Sequence, residues 1–216
     1  MARMSRFLFL VVETAKSVEA FDESGHIEGA PFVAYARLAV EHDTPAGRVR
    51  YLLPDPDDFS EVMREVGENG DDRVVITPSG TSVTGNMTLA ARLYWALRYF
   101  GHEDVAVLDG GVAAWRKAGG ETTTAPADGI AAGEFTARAA QPEIHVSADD
   151  VQAILEDSSA TLTDNRPHHL RGRTNGLPPS HFSVMTNCMV YWFIMESLLA
   201  ETGEIHGPEY QNAHKS

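Results

Sequence analysis

AARLYWALRYFGHEDVAVLDGGVAAWRKAG, Ala90 to Gly119, reads as a helix, a strand and a second helix with little slack between them. Leu89, Leu93, Ala96, Leu97 and Phe100 recur at offsets of three and four, the spacing of a buried helix face. Gly101 stands where the chain needs a left-handed cap, a conformation that costs glycine nothing. Val105 to Leu108 is then a short apolar run closed by Asp109, Gly110 and Gly111, the pattern of a parallel strand covered on both faces. The following helix carries Trp115.

Upstream, the same alternation continues. FLFLVV, Phe7 to Val12, follows Arg3 and Arg6 but is too short for the apolar core of a signal peptide, which takes about 7 to 15 residues, so it reads as a strand. Asp57 to Val66 is a helix burying Phe59, Val62, Met63 and Val66, with Gly67 after its end, and Arg73 to Thr77 is the next strand. Strands alternating with helices predict an α/β fold, an open parallel sheet with helices on both faces and right-handed crossovers.

Downstream, Gly119 to Gln141 is rich in Ser, Thr, Ala, Pro and Gly without periodicity, and so long a plain connection reads as a linker between domains. Ser147, with Asp150 three positions on, makes a near capping box for a helix burying Val151, Ile154 and Leu155, and Thr161 to Asp164 would be the next strand. The expected organisation is one near-complete domain over residues 1–120, a linker over 121–145 and a partial second repeat over 146–216.

Composition narrows the partners. With 216 residues, 43% of them apolar, the chain can bury a core in two compact modules. A formal net charge of −14 repels phosphates, no run of Lys or Arg offsets it, and nucleic acid and anionic membrane are excluded as partners. Asp57, Asp58, Glu61 and Glu65 read as a solvated acidic face. No segment reaches the roughly 20 apolar residues of a membrane span, and the chain is expected in the cytoplasm unless an export signal once preceded it. One cysteine, Cys188, excludes an internal disulfide and an all-thiolate zinc site; nine scattered histidines, of which only His168 and His169 adjoin, predict no metal.

The segment after Ala90, together with GHIEGA at Gly25 to Ala30, LPDPDDF at Leu53 to Phe59 and the strand at Arg73 to Thr77, resembles a rhodanese-type sulfurtransferase domain over roughly Phe7 to Gly119. GHIEGA is similar to the family's Gly-His-Ile-Pro-Gly-Ala signature with Glu28 in place of proline. SADDVQAIL, Ser147 to Leu155, and TLTDNRP, Thr161 to Pro167, resemble the opening of a second repeat, as in tandem thiosulfate and mercaptopyruvate sulfurtransferases. The resemblance implies a cysteine thiolate that takes sulfur from a small anionic donor, holds it as a persulfide and passes it to a thiol or cyanide, with no metal or organic cofactor. It also implies a Gly-rich loop between strand and helix whose amides favour the thiolate.

In the first module that loop is PSGTSVTGNMT, Pro78 to Thr88, which has no cysteine. It is either a plain surface connection or an anion cradle built on Gly80 and Gly85. Those glycines have the spacing of a phosphate-binding P-loop, but Asn86 and Met87 replace its Lys and Ser/Thr, so nucleotide hydrolysis is not expected. In the second module the resemblance assigns Asp164 and Arg166 to an Asp-x-Arg element and Arg171 to a second arginine, making Arg166 and Arg171 the candidate donor-binding residues. A structural ion pair is the alternative for Arg166.

Cys188 is then the candidate nucleophile by elimination. Met189, Val190, Tyr191, Trp192 and Phe193 follow it without a glycine, and no Lys or Arg lies within a dozen residues; an apolar setting raises a thiol's pKa. The alternative is an inert buried thiol. Phe193 also stands five residues on, where phosphatases and arsenate reductases of related fold need arginine, which removes that branch. From Arg173 to Ser216 charged residues number six in 44, against 42 in the preceding 172, so the tail reads as a truncated, rearranged or out-of-frame remnant of the second module. Two functions stay open: a sulfurtransferase, and a non-catalytic rhodanese-like module that binds an anion or a protein.

Overall fold

The computed structural model describes residues 9–157 apart from 45–46, 80–82, 126, 128, 139–140 and 142–143. Among the described residues four parallel strands form the sheet: β1 (Phe9–Ala15), β3 (Phe32–Ala34), β6 (Arg73–Pro78) and β7 (Val105–Val107), in the order β3-β1-β6-β7. The central pair, β1 and β6, reads FLVVETA and RVVITP; both are buried over most of their length because helices cover both faces. In their register Val12 faces Ile76 and Glu13 faces Thr77. β7 is an edge strand with Ala106 exposed, so the expected two-sided cover over Val105 to Leu108 is incomplete.

Val12, Val74 and Ile76 point into the main core, where Phe59, Val62 and Met63 of α3 (Pro56–Glu65) meet Leu93, Ala96, Leu97 and Phe100 of α4 (Val83–Tyr99) and its end. The rings of Phe59 and Phe100 stack with centroids 4.6 Å apart. The opposite face carries α1 (Val18–Ser24) and α5 (Gly111–Lys117), packed on β1 and β6. Both predicted helix ends hold: Gly67 and Gly101 have φ of +84° and +82°. No helix among the described residues is long and apolar enough to cross a membrane.

Smaller elements fill the rim. β2 (His26–Ile27) pairs antiparallel with β8 (Thr122–Thr123), which lies in the stretch expected to be linker. α2 (Tyr35–Leu38) leads into the hairpin of β4 (Val40–Thr44) and β5 (Gly47–Leu52). Beyond β8 the described residues form no α-helix or strand until α6 (Ala148–Asp157), yet they are laid against α3 and α4. Gly133 donates to the Arg64 carbonyl at 2.8 Å, Phe135 to that of Glu68 at 3.0 Å, Arg138 to that of Phe100 at 2.9 Å and Gln141 to that of Tyr99 at 3.1 Å. Phe135, 2% exposed, sets its ring edge-on to Phe59 at 5.8 Å.

α6 starts at a reciprocal capping box. Asp150 N donates to Ser147 Oγ at 3.1 Å while Ser147 N donates to Asp150 Oδ2 at 2.7 Å, as the spacing of the two residues predicts. Val151 is buried and Ile154 half-buried, but Leu155 is 60% exposed instead of buried.

Candidate functional site

In an open α/β sheet, ligands bind beyond the carboxyl ends of the strands, where successive connections leave in opposite directions. Here β1 leads outward to β3 on one side and β6 to β7 on the other, so that point lies between β1 and β6. The loop after β6, whose residues 80–82 lie outside the described residues, leaves from there into α4.

Glu13 is the central side chain. It is fully buried on the α1 and α5 face and shares that face with Thr77, its partner in register. Its Oε2 accepts from Ser79 Oγ at 2.6 Å, and its Oε1 accepts from Ile27 N, also at 2.6 Å. Burial pushes the carboxyl above its usual range; the two hydrogen bonds and the charge of Arg116 pull partly the other way. One acidic group thus ties three pieces together: the end of β1, the GHIEGA turn and the residue that opens the β6–α4 loop.

The walls are equally specified. Arg116, on α5, donates through Nη2 to the carbonyls of Ser24 and Gly25 and through Nε to Thr122 Oγ1 at 3.2 Å, so its donors hold the turn and β8. His26 is fully buried and stacks on Phe21 with centroids 4.0 Å apart; neither ring nitrogen has a hydrogen-bond partner among the described residues. Gly111 begins α5 at φ +58°, where a β-carbon would lie 2.7 Å from Pro78 Cγ, which lets the α5 N-terminus press against the end of β6.

This arrangement ties the first residue of the β6–α4 loop, Ser79, to Glu13. Pro78 to Thr88 has no thiol, and the buried group beneath it is a carboxyl rather than a cation that would draw an anion in. Among the described residues no three His, Cys, Asp or Glu side chains come together so as to hold a metal ion. Cys188, Arg166 and Arg171, the residues singled out by sequence, all lie outside the described residues. Glu13 and Ser79 were not singled out. The signal for Glu13 was an acidic residue inside an otherwise apolar strand; nothing in the sequence alone marked Ser79 as its partner.

The family model described as Rhodanese-like domain matches residues 6–118. A 3-mercaptopyruvate sulfurtransferase of Escherichia coli (strain K12) is 34% identical over 144 residues, which cover 67% of this chain and 47% of that protein. A putative thiosulfate sulfurtransferase, SseB, of Mycobacterium tuberculosis (strain ATCC 25618 / H37Rv) is 37% identical over 100 residues, 46% of this chain and 33% of that one. The crystal structure of SseA from Escherichia coli superposes with a TM-score of 0.63 at 28% identity, covering 81% of this chain and 66% of that one. The chain spans about half the length of the curated sulfurtransferase it matches over the 144 residues.

Proposed function

This chain belongs to the rhodanese-like domain family, and from that premise we propose that it is a sulfurtransferase relative whose first module is non-catalytic and whose only possible persulfide site is Cys188. The observation that carries this is the Glu13–Ser79 hydrogen bond at the mouth of the β6–α4 loop, where a carboxyl anchors a thiol-free connection. Sulfur transfer by the chain would begin with the Cys188 thiolate attacking the outer sulfur of thiosulfate; the S–S bond breaks and sulfite leaves. Cyanide or a thiol then takes that sulfur from the persulfide and the thiolate returns. Arg166 and Arg171 are the residues proposed to hold the anionic donor. 3-Mercaptopyruvate is the other donor consistent with the relatives.

A second reading is that the chain is a non-catalytic module that binds an anion or a protein. It is favoured by the absence of a thiol from the first loop and of glycines or cations around Cys188. One assay separates the two. Thiocyanate formed from thiosulfate and cyanide, and abolished by Cys188→Ser, supports transfer at Cys188; no turnover above buffer supports the binding reading. Turnover that survives Cys188→Ser overturns the assignment of the first module as non-catalytic.

A further inference from the structure

EVGENGDDR, Glu65 to Arg73, carries the chain from the end of α3 into β6 and contains the pair Asn69-Gly70. Such a pair has a chemistry of its own. The backbone nitrogen after an asparagine can attack the side-chain Cγ: a new N–C bond closes a five-membered imide, the Cγ–Nδ2 bond breaks, and ammonia leaves with the proton that the backbone nitrogen gives up. Water then opens the ring to aspartate or, at its other carbonyl, to isoaspartate, and the chain gains one negative charge. Glycine at position 70 leaves the attacking nitrogen unhindered. Its φ is +87°, and a β-carbon there would meet nothing within 4 Å. Asn69 is exposed, so water reaches it.

The hydrogen bonds of the turn oppose the reaction. Gly70 N donates to Glu68 Oε1 at 2.7 Å. Asn69 Nδ2 donates to Asp72 Oδ2 at 2.9 Å and to the Gly67 carbonyl at 3.1 Å, and Asn69 N reaches the same Asp72 oxygen at 3.2 Å. A carbonyl can only accept, so the amide nitrogen of Asn69, not its oxygen, is turned toward Gly67 and Asp72. The nitrogen that must attack and the nitrogen that must leave are thus held by two different carboxyl groups. Both carboxyl groups are withdrawn from water, with Glu68 fully buried and Asp72 7% exposed. Glu68 is fixed in turn by the segment that crosses it. Its carbonyl accepts from Phe135 N at 3.0 Å, and a β-carbon on Gly133 would fall 2.0 Å from that oxygen.

We propose that Asn69-Gly70 is a self-modification site that the folded turn holds shut, with Glu68 holding the attacking nitrogen and Asp72 the departing one. Ring closure has to break three hydrogen bonds, one at Gly70 N and two at Asn69 Nδ2. At a few-fold each, they slow closure by at least about tenfold. The product does not restore the turn. An ionised aspartate at 69 offers only acceptors to the Gly67 carbonyl and to Asp72, and isoaspartate lengthens the backbone between residues 69 and 70. Opening of this turn for long enough to react therefore loosens, irreversibly, the surface on which residues 133–135 rest.

Mass spectrometry of the full chain tests the site. The protein is incubated at about pH 7.5, in buffer and in urea, and digested with trypsin; cleavage after Arg64 and Arg73 releases Glu65 to Arg73, and deamidation adds about 1 Da to it. This peptide also separates Asn69 from the chain's second Asn-Gly pair, Asn175-Gly176. Conversion of Asn69 is expected to be at least about tenfold slower in buffer than in urea, and Asp72→Ala is expected to remove most of that difference in buffer. Gly111→Ala, which strains the opposite end of β6, serves as the control for general destabilisation and should stay slow. Equal rates in buffer and urea would overturn the proposal, as would an Asp72→Ala chain that reacts no faster than wild type. Equal acceleration by Asp72→Ala and Gly111→Ala would also overturn it, since global unfolding would then set the rate. Hydrogen exchange at the Gly70 amide of the wild type, corrected for its intrinsic rate, gives a readout that needs no variant. Protection of at least about tenfold is expected, and exchange at the unprotected rate would reject the hold by Glu68.

Discussion

A side chain at Gly111 has nowhere to go: its β-carbon would meet Pro78 Cγ at 2.7 Å and the Pro78 carbonyl at 3.0 Å, and its φ of +58° already excludes most residues. Gly111→Ala is therefore expected to destabilise the protein by about 2 to 4 kcal/mol, combining backbone strain with overpacking, which a urea melt would measure. At Glu13 the issue is charge. Its carboxyl is raised by burial, so the stability it contributes is fully present below the ordinary carboxyl value of 4.5 and is lost as pH rises through its folded value. A Glu13→Gln variant removes the charge but keeps an oxygen for Ile27 N. It should melt higher than wild type at about pH 8, and the gap should close near about pH 4. An unchanged gap across that range would show that Glu13 is not held in a desolvated site.

At the scale of elements, the helices and central strands were legible because each has a period that burial enforces. Leu89, Leu93, Ala96 and Leu97 of α4 and Phe100 just past its end are all buried, and the Ser147–Asp150 pair caps α6 as its spacing implies. The segment after β8 was legible only as composition. It has no periodicity since it is held by hydrogen bonds to α3 and α4 and by the isolated rings of Phe135 and His145, neither of which leaves a repeating trace. Leu155 was misjudged for a related reason: periodicity shows which residues share a face, not how far cover extends over it. Glu13 shows the same limit at the candidate site, where the acid was visible but its partner, 66 positions away, was set by topology. Arg92 is another long-range tie. Only 1% exposed, it donates to the Leu38 carbonyl and, 41 positions away, to the Tyr51 carbonyl, both at 3.0 Å, and lies over Trp95. It joins the end of α2 and the β5 strand to α4. Arg92→Lys should not substitute, because an ammonium lacks the planar fork that reaches two carbonyls. The expected result is a loss of about 2 to 3 kcal/mol, with amide protection falling first in residues 47–52.

For the whole molecule, the physical question is where the first folded unit stops. Residues 1–120 contain every strand of the parallel sheet among the described residues, and the family match ends at residue 118. Packing argues for a later end. β8 closes on β2 beside the Glu13 turn, Phe135 fills the gap next to Phe59, and the Trp95 indole donates to the Ile144 carbonyl at 3.1 Å. Removing Phe135 alone corresponds to a large-to-small change in a core, worth about 3 to 5 kcal/mol. The same cut would also remove the cover from Glu68 and His102, both buried behind residues 133–138. A fragment ending at Gly120 is accordingly expected to melt at least about 10 °C below one ending at Asp157, since each kcal/mol moves the midpoint of a domain this size by several degrees. Circular dichroism melts of the two fragments decide the matter. Equal midpoints would mean that residues 121–157 rest on the module without supporting it, and the boundary would return to the end of α5.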